Sequence, residues 1–367
     1  MIGSRMNYAA RQEKLAAQLR QSGVEALLIT HLPNIRYLCG FSGSAGALLF
    51  NAVASRPRTT FYTDGRYIQQ AADQVQGAKV VIGRKAPLQE ALGRLRSLKV
   101  RSLGFESDHL SYDDYNHLAK AVSEKTRLKR TAGWVEDLRT VKDGEEIEQV
   151  RAAVLLGASL FPAALSAITS GVTENEVAGE LELQARRAGA EGMSFDTIVA
   201  AGPRSALPHG RASAQAIPAS GFIILDYGVI LAGYCSDMTR TVHVGRASKA
   251  HRQMYQAVRE AQLASIEAVR PGVRAGEVDE AGRTVLQKAG YGAYFTHSTG
   301  HGVGIEVHER PRLAKGQAQK LVPGMVITIE PGIYIPEEGG VRIEDMVLVT
   351  ESGREVLTPT TKDLIEL

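Results

Sequence analysis

Residues Phe295–Pro311, FTHSTGHGVGIEVHERP, gather His297, His301 and His308 from a chain that has nine histidines in all. Imidazole at that density points to metal ligation or proton transfer. Gly300, Gly302 and Gly304 break up the histidines, as expected where backbone must pass close to a bound metal or substrate. Four carboxylates elsewhere suit the same chemistry. Asp226 closes the apolar run FIILD, Asp237 sits in YCSDMTRT, Glu330 closes MVITIE and Glu344 sits in VRIEDMVLV. A carboxylate among apolar strand residues is costly unless it is paired or ligating. One Asp at a strand end reads as a turn former. Four acids in such strands, beside a histidine cluster, read as a metal site.

The spacing supports that assembly. Phe222–Gly228 and Tyr234–His243 read as a hairpin joined through Val229–Gly233. A turn near Leu231–Ala232 sets Asp226 opposite Asp237, and opposite residues share one face of a sheet. Arg342 lies two residues before Glu344 and shares its face. Arg342 is a candidate counter-ion for Glu344, and Thr239 a candidate to orient Asp237. Four carboxylates and one imidazole form a mostly oxygen donor set, which suits manganese, cobalt or zinc. Two divalent cations balance four carboxylates, whereas one leaves the site anionic, so two metal ions sharing bridging ligands are expected. A lone structural zinc is disfavoured, because Cys and His dominate such sites.

The elements that must position these groups fall into two parts, 1–138 and 139–367. The first alternates strand-sized apolar runs (Ala26–Ile29, Ala47–Phe50, Thr59–Thr63, Lys79–Ile82, Ser102–Phe105) with helical patterns such as Met6–Ser22 and Pro87–Ser97. Met6 is read as a possible native start, with Met1–Arg5 ahead of it. The polar stretch LRTVKDGEE, Leu138–Glu146, marks the boundary. The second part carries an internal repeat. Gly171, Val172, Glu176, Val177 and Gly189 recur as Gly272, Val273, Glu277, Val278 and Gly290, an offset of 272 − 171 = 101. Each copy follows a long helical pattern, Glu145–Ser170 or His251–Arg270. Strands are expected after each: Thr197–Ala200, Phe222–Leu225 and Thr239–Val244, then Gly304–Val307, Val326–Ile329 and Val341–Val349. A duplicated α+β unit of this kind offers a cleft between its halves.

With these motifs in order, the chain resembles the dinuclear pita-bread metallopeptidases: LDYG at 225–228, SDMTRT at 236–241, TGHGVGIEVHE at 299–309, TIEPGIY at 328–334 and VRIEDM at 341–346. YLCGFSGSAGALL at 37–49, FYTDGRY at 61–67 and LPHGRAS at 207–213 are similar to the Xaa-Pro aminopeptidase and prolidase branch. The resemblance implies an α/β N-terminal creatinase-like domain followed by an α+β pita-bread domain of two pseudo-symmetric halves. It implies that Asp226 chelates one metal, that His301 and Glu330 bind the other, and that Asp237 and Glu344 bridge them. A water between the metals is then the nucleophile, with Glu330 helping to move its proton. His308 would polarise the scissile carbonyl, and His209 and His297 would bind substrate. Tyr334 and Arg342 would orient ligands or touch substrate.

The activity so implied is release of the N-terminal residue preceding proline from short peptides, with Mn2+ the expected metal and Co2+ or Zn2+ alternatives. The alternative is a prolidase confined to Xaa-Pro dipeptides. A methionine aminopeptidase is disfavoured by the N-terminal domain, and a non-catalytic peptide-binding module by the complete set of metal ligands. Such enzymes are often homodimers, which is the expectation here. A net charge of +3 without basic runs gives no case for nucleic acid. The uncharged run Ala152–Ile168 is short for a membrane span and is interrupted by Pro162, so it reads as a buried or interface helix. Cys39 and Cys235 match no zinc or disulfide spacing, which favours buried thiols and a cytoplasmic location.

Overall fold

The computed structural model describes residues 6–53, 58–95, 97–169 and 171–367. The stretch Met1–Arg5 and the ends of the helical patterns at Arg96 and Ser170 lie partly or wholly outside them. The chain forms two compact units, Met1–Arg139 and Thr140–Leu367.

In chain order the first unit runs α1 (Tyr8–Gln21), β1 (Ala26–Ile29), α2 (Leu32–Cys39), β2 (Ala47–Asn51), β3 (Arg58–Asp64), α3 (Ile68–Gln74), β4 (Lys79–Gly83), α4 (Pro87–Leu95), β5 (Ser102–Phe105), α5 (Tyr112–Ala121), β6 (Arg127–Arg130) and α6 (Trp134–Arg139). Its strands form one mixed sheet in the order β4-β3-β2-β1-β5-β6. The central strand ALLI is buried at every position, as its unbroken apolar run requires. β6, RLKR, was not anticipated: it is a half-exposed edge strand, and charge on an edge is a common device against unwanted pairing.

The second unit begins with α7 (Gly144–Ser159) and α8 (Phe161–Ala167), followed by α9 (Glu174–Arg187), β7 (Gly192–Met193), β8 (Ile198–Ala201), β9 (Gly221–Tyr227), β10 (Val229–Leu231), β11 (Tyr234–Cys235) and β12 (Met238–Val244). Then come α10 (Lys249–Ala268), α11 (Ala275–Lys288), β13 (Gly300–Gly302), β14 (Glu309–Leu313), β15 (Val326–Ile329), β16 (Gly332–Ile335), β17 (Gly339–Arg342), β18 (Asp345–Val349) and β19 (Arg354–Val356). The repeat is structural. α9 and α11 start 275 − 174 = 101 residues apart and end 288 − 187 = 101 apart. α9 opens on a complete capping box between Thr173 and Glu176. The first half supplies the sheet β12-β9-β8 and the second the sheet β14-β13-β15-β18-β19.

The expected Glu145–Ser170 helix is two helices. Pro162 sits in the first turn of α8, after Leu160 ends α7. By length and composition Gly144–Ala167 resembles a membrane-crossing helix. Here it buries Val150, Ala153, Val154, Gly157, Phe161 and Ala164 within the unit.

Two strand expectations are corrected. Val341–Val349 is split between β17 and β18, which belong to different sheets. The break falls at Ile343–Glu344, where Glu344 N donates to Thr239 O at 3.1 Å and leaves the β16 partner behind. Gly304–Val307 is a turn, closed by Gly304 N to Glu306 O at 3.0 Å, and the strand lies earlier, at β13.

Two glycines of this segment also answer to the packing of neighbouring strands. A Cβ on Gly300 would overlap the Thr328 carbonyl of β15, and one on Gly302 the Arg310 carbonyl. Both admit neighbouring backbone.

A charged network lies beneath the strands that carry the acidic residues. Arg240, buried in β12, donates to Asp345 Oδ1 at 2.7 Å and to the Thr360 and Thr361 carbonyls at 2.7 and 2.8 Å. Lys362 Nζ meets Asp345 Oδ2 at 2.5 Å, and Gln262 Nε2 meets the same oxygen at 2.9 Å. The chain's last residues run beside β12, with His243 N donating to Ile365 O and Leu367 N to His243 O, both at 2.9 Å. Asp345→Ala leaves two cations without their counter-charge, so the urea midpoint of the protein should fall, by a stability loss of about 3–5 kcal/mol. An unchanged midpoint would show that this network carries no stability.

Candidate active site

The β9–β12 pairing sets the first two carboxylates. The register aligns Asp226 with Thr239 and Tyr227 with Met238. The turn is Ala232–Gly233, both at positive φ, between the paired Leu231 and Tyr234. It lies one residue later than expected, which moves the register by two. Asp237 therefore falls opposite Gly228, diagonal to Asp226 rather than across from it. The shift is even, so both carboxylates keep the same face. Close approach at that point demands glycine, since a Cβ on Gly228 would overlap the Ser236 carbonyl.

The second half supplies the remaining groups. His301 comes from β13, Glu330 follows β15, and Glu344 sits in the break before β18. Donor atoms of Asp237, His301 and Glu344 lie within 4.8 Å of one another. His301 Nε2 is 3.5 Å from Glu330 Oε1 and 3.7 Å from Asp237 Oδ2. Arg342 NH2 binds Asp226 Oδ2 at 2.7 Å. All five candidate ligands are thus brought together from strands of both halves.

Two observations test whether this cluster suits cations. Asp226 Oδ1 is buried without a hydrogen-bond partner. His301 Nδ1 lies 3.0 Å from the Gly302 carbonyl, which can only accept, so that nitrogen carries the proton. Burial lowers the His301 pKa and keeps the ring neutral. Nε2 therefore points a lone pair at two carboxylate oxygens. They are too far for hydrogen bonds and at the spacing of donors sharing one small cation. The residues fit divalent metal ions.

The carboxylates carry the same message. Burial raises the Asp237 pKa well above its usual value, and Glu344, Asp226 and Glu330 add repulsion. Burial likewise raises Glu344, with repulsion from Glu330 and Asp226. Burial pushes Glu330 up to about 7, against the pull of Arg342.

A frame of neutral and cationic donors holds the cluster. Thr239 Oγ1 donates to Glu344 Oε2 at 2.6 Å, so Thr239 orients Glu344 and not Asp237. Arg342 pairs with Asp226 rather than acting as the counter-ion of Glu344. It also donates to Tyr334 Oη at 2.6 Å, Thr239 Oγ1 at 3.2 Å and Pro208 O at 3.2 Å. His297 Nδ1 lies 2.8 Å from the Ser298 carbonyl and so carries the proton, which leaves Nε2 to accept from Tyr334 Oη at 2.9 Å. Burial, with Arg342 nearby, lowers His297 to about 4. It is a neutral imidazole with both nitrogens engaged. His308 is exposed, its ring 4.4 Å from that of His301, and burial of its inner side together with His301 and His209 lowers its pKa. His209 is exposed in the loop after β8, next to the carbonyl that Arg342 holds.

Arg312 escaped the sequence reading. In the β13–β14 ladder it stands directly opposite His301. Opposite residues share a face, so Arg312, which is exposed, lies on the face of the ladder that carries His301. The signal was its place four residues beyond His308, legible only once the strand pairing is known.

A second group, His31, His109 and Glu136, also brings ligand-type atoms within 4.8 Å, in the first unit. Its two imidazoles stack at 3.6 Å with planes 10° apart, so their in-plane lone pairs do not converge on one ion. Both cysteines are buried thiols, outside any disulfide.

A duplicated α+β unit with a buried acid–imidazole cluster between its strands defines a pita-bread metallohydrolase. Residues 148–351 match metallopeptidase family M24, and residues 11–141 match the creatinase/prolidase N-terminal domain. The chain belongs to family M24. It is 38% identical to the Xaa-Pro dipeptidase of Pyrococcus horikoshii, over 96% of this chain and 98% of that one. Among solved structures it resembles the Xaa-Pro dipeptidase from Bacillus anthracis, with a TM-score of 0.93 and 41% identity over 98% of this chain and 100% of that one. It also resembles the X-Pro aminopeptidase from Thermotoga maritima, with a TM-score of 0.88 and 32% identity over 97% and 100%.

The raised carboxylates set a pH test. A folded-state pKa above the unfolded one means the native state binds more protons, so metal-free stability is present at low pH and declines as pH rises through about 7. Cations remove that penalty. Calorimetry of chelated and metal-reloaded protein should show a larger metal-induced rise in Tm near pH 8 than near pH 5. Equal rises would count against the cluster as the cation site.

Proposed function

We propose that the protein is a metal-dependent Xaa-Pro dipeptidase, which hydrolyses the bond between an N-terminal residue and a C-terminal proline. The motifs alone favoured an aminopeptidase acting on longer peptides, with the dipeptidase as alternative. The observation that carries the revised order is Arg312. A dipeptide presents a free carboxylate one residue beyond the scissile bond, and a guanidinium beside the cluster suits it. The names of the similar proteins from Pyrococcus horikoshii and Bacillus anthracis support the same reading.

In this reading Asp226, Asp237, His301, Glu330 and Glu344 hold two divalent cations, most simply Mn2+ given the oxygen-rich donor set. When bound, such cations supply Lewis acidity and bring the pKa of the hydrolytic water towards neutrality. Glu330 takes the proton released from the water and delivers it to the departing proline nitrogen, a role open to a carboxylate beside that water. Delivery is needed because the amide nitrogen leaves only as the protonated amine.

His308, at the rim of the cluster, donates to the scissile carbonyl oxygen as negative charge develops there. His209 has no hydrogen bond among the described residues, so its nitrogens are available to substrate. His297 has both nitrogens committed, so it offers its ring as a packing surface for the pyrrolidine. Tyr334 and Arg342 fix that ring and Asp226 in one array.

The second reading, cleavage of longer Xaa-Pro peptides, is favoured by the likeness to the Thermotoga maritima X-Pro aminopeptidase. Hydrolysis of Ala-Pro, Ala-Pro-Ala, a longer Xaa-Pro peptide and Met-Ala-Ser by manganese-reloaded protein separates the two. Turnover of Ala-Pro alone is expected. Comparable turnover of the tripeptide would establish the aminopeptidase. Arg312→Ala should raise KM for Ala-Pro about tenfold, the scale of one charge-assisted hydrogen bond. An unchanged KM would remove Arg312 from carboxylate recognition. Asp237→Ala should abolish turnover while circular dichroism stays native, and full activity at unchanged metal content would exclude Asp237 as a ligand.

A further inference from the structure

Besides Asp345, two fully buried carboxylates in the second unit lie outside the cation cluster: Glu174 on α9 and Asp279 on α11. A buried charge is retained only where several donors satisfy it. α9 is already capped by Thr173 and Glu176, so Glu174 is not needed to start its helix. Its oxygens instead close a loop. Oε1 accepts from Ala201 N at 2.9 Å, where the chain leaves β8. Oε2 accepts from Ser213 Oγ at 2.6 Å and Ser213 N at 3.1 Å, where the loop returns. Arg204, within the loop, donates to both oxygens at 3.1 and 3.0 Å and to Arg211 O at 2.8 Å. The loop so closed carries His209.

Asp279 does the corresponding work in the second half. Oδ1 accepts from Thr299 Oγ1 at 2.9 Å and Thr299 N at 3.1 Å. Oδ2 accepts from Arg283 Nε at 2.6 Å. Arg283 in turn donates to Phe295 O at 3.1 Å and to His297 O, and lies 4.1 Å over the Phe295 ring. The segment gripped between Phe295 and Thr299 carries His297.

The two carboxylates are not equivalent in the repeat, since 174 + 101 is Ala275 and not Asp279. Each copy has therefore arrived at the same device from a different turn of the same helix.

We propose that Glu174 and Asp279 are paired positioning residues. Each fixes, from the repeated helix of its own half, the segment that presents one substrate histidine, so together they set where His209 and His297 stand relative to the cations. The proposal rests on the reading of those histidines as substrate-contacting. Neither carboxylate touches substrate. Both act by removing loop freedom before substrate arrives.

The test is a double-mutant cycle on manganese-reloaded protein with Ala-Pro, reading KM, kcat and metal content. Glu174→Gln should raise KM about five- to tenfold, the scale of one charge-assisted hydrogen bond, with two metals still bound. In a His209→Ala background it should add nothing, whereas in a His297→Ala background its full effect should persist. Asp279→Asn should show the mirror pattern, silent over His297→Ala and effective over His209→Ala. Should Glu174→Gln not fold, Ser213→Ala removes one donor and leaves the carboxylate paired with Arg204; a KM rise of about two- to threefold that vanishes over His209→Ala supports the proposal equally. Equal losses in all backgrounds would reduce the carboxylates to general stabilisers and overturn it. If His209→Ala and His297→Ala themselves leave KM unchanged, the substrate-histidine reading falls and the proposal with it. That outcome is distinct from histidine variants that matter while the clamps do not.

Discussion

The burial of four carboxylates that also repel one another is the constraint on which the catalytic unit is organised. Asp226, Asp237, Glu330 and Glu344 converge in a place that water only partly reaches, and every one that shows a resolved shift shows it towards the protonated form. Left alone, such a group would be neutral and useless as a ligand set, or charged and disruptive. The chain answers with fixed donors that are not themselves ligands. Arg342 meets Asp226, Thr239 meets Glu344, and Thr328 Oγ1 meets Glu330 Oε1 at 3.3 Å. These contacts fix the orientation of the acids without neutralising the group, which leaves the remaining charge for cations.

The same economy links ligand geometry to substrate geometry. Arg342 touches Asp226, the Tyr334 hydroxyl that serves His297, and the carbonyl before His209. One side chain from β17 thereby ties a candidate ligand to both histidines proposed to meet substrate. A change at Arg342 cannot be assigned to metal or to substrate alone, because the two share a hydrogen-bonded path.

The acid–imidazole cluster was legible in the sequence because acids at the ends of apolar strands contradict the usual distribution of charge, and because FTHSTGHGVGIEVHERP concentrates imidazole. Strand register was less legible. Placing the turn at Leu231–Ala232 instead of Ala232–Gly233 misaligned Asp226 and Asp237, and only the evenness of the slip preserved their common face. VRIEDMVLV looks like one strand, yet the backbone changes sheets at Glu344, which no local propensity encodes. β6 was hidden by its charge. Glu174 and Asp279 were hidden differently. Each sits on the buried stripe of its helix, among Val177, Ala178, Leu181 and Ala185 or among Ala275, Val278, Gly282 and Leu286. An acid in register with an apolar stripe is a readable anomaly, but only after the helix phase is known.

The final residues have a further consequence. β12 is the outer strand of its sheet, and one side of it would otherwise present open amide and carbonyl groups. Ile365–Leu367 lies along that side, and His243 bridges to Glu366 in parallel. The last three residues therefore act as a selvage: they finish the woven edge. Without them, the end of β12 around His243, beyond the stretch that Glu344 meets at Thr239, becomes a template for a foreign strand, and self-association through that edge would compete with folding.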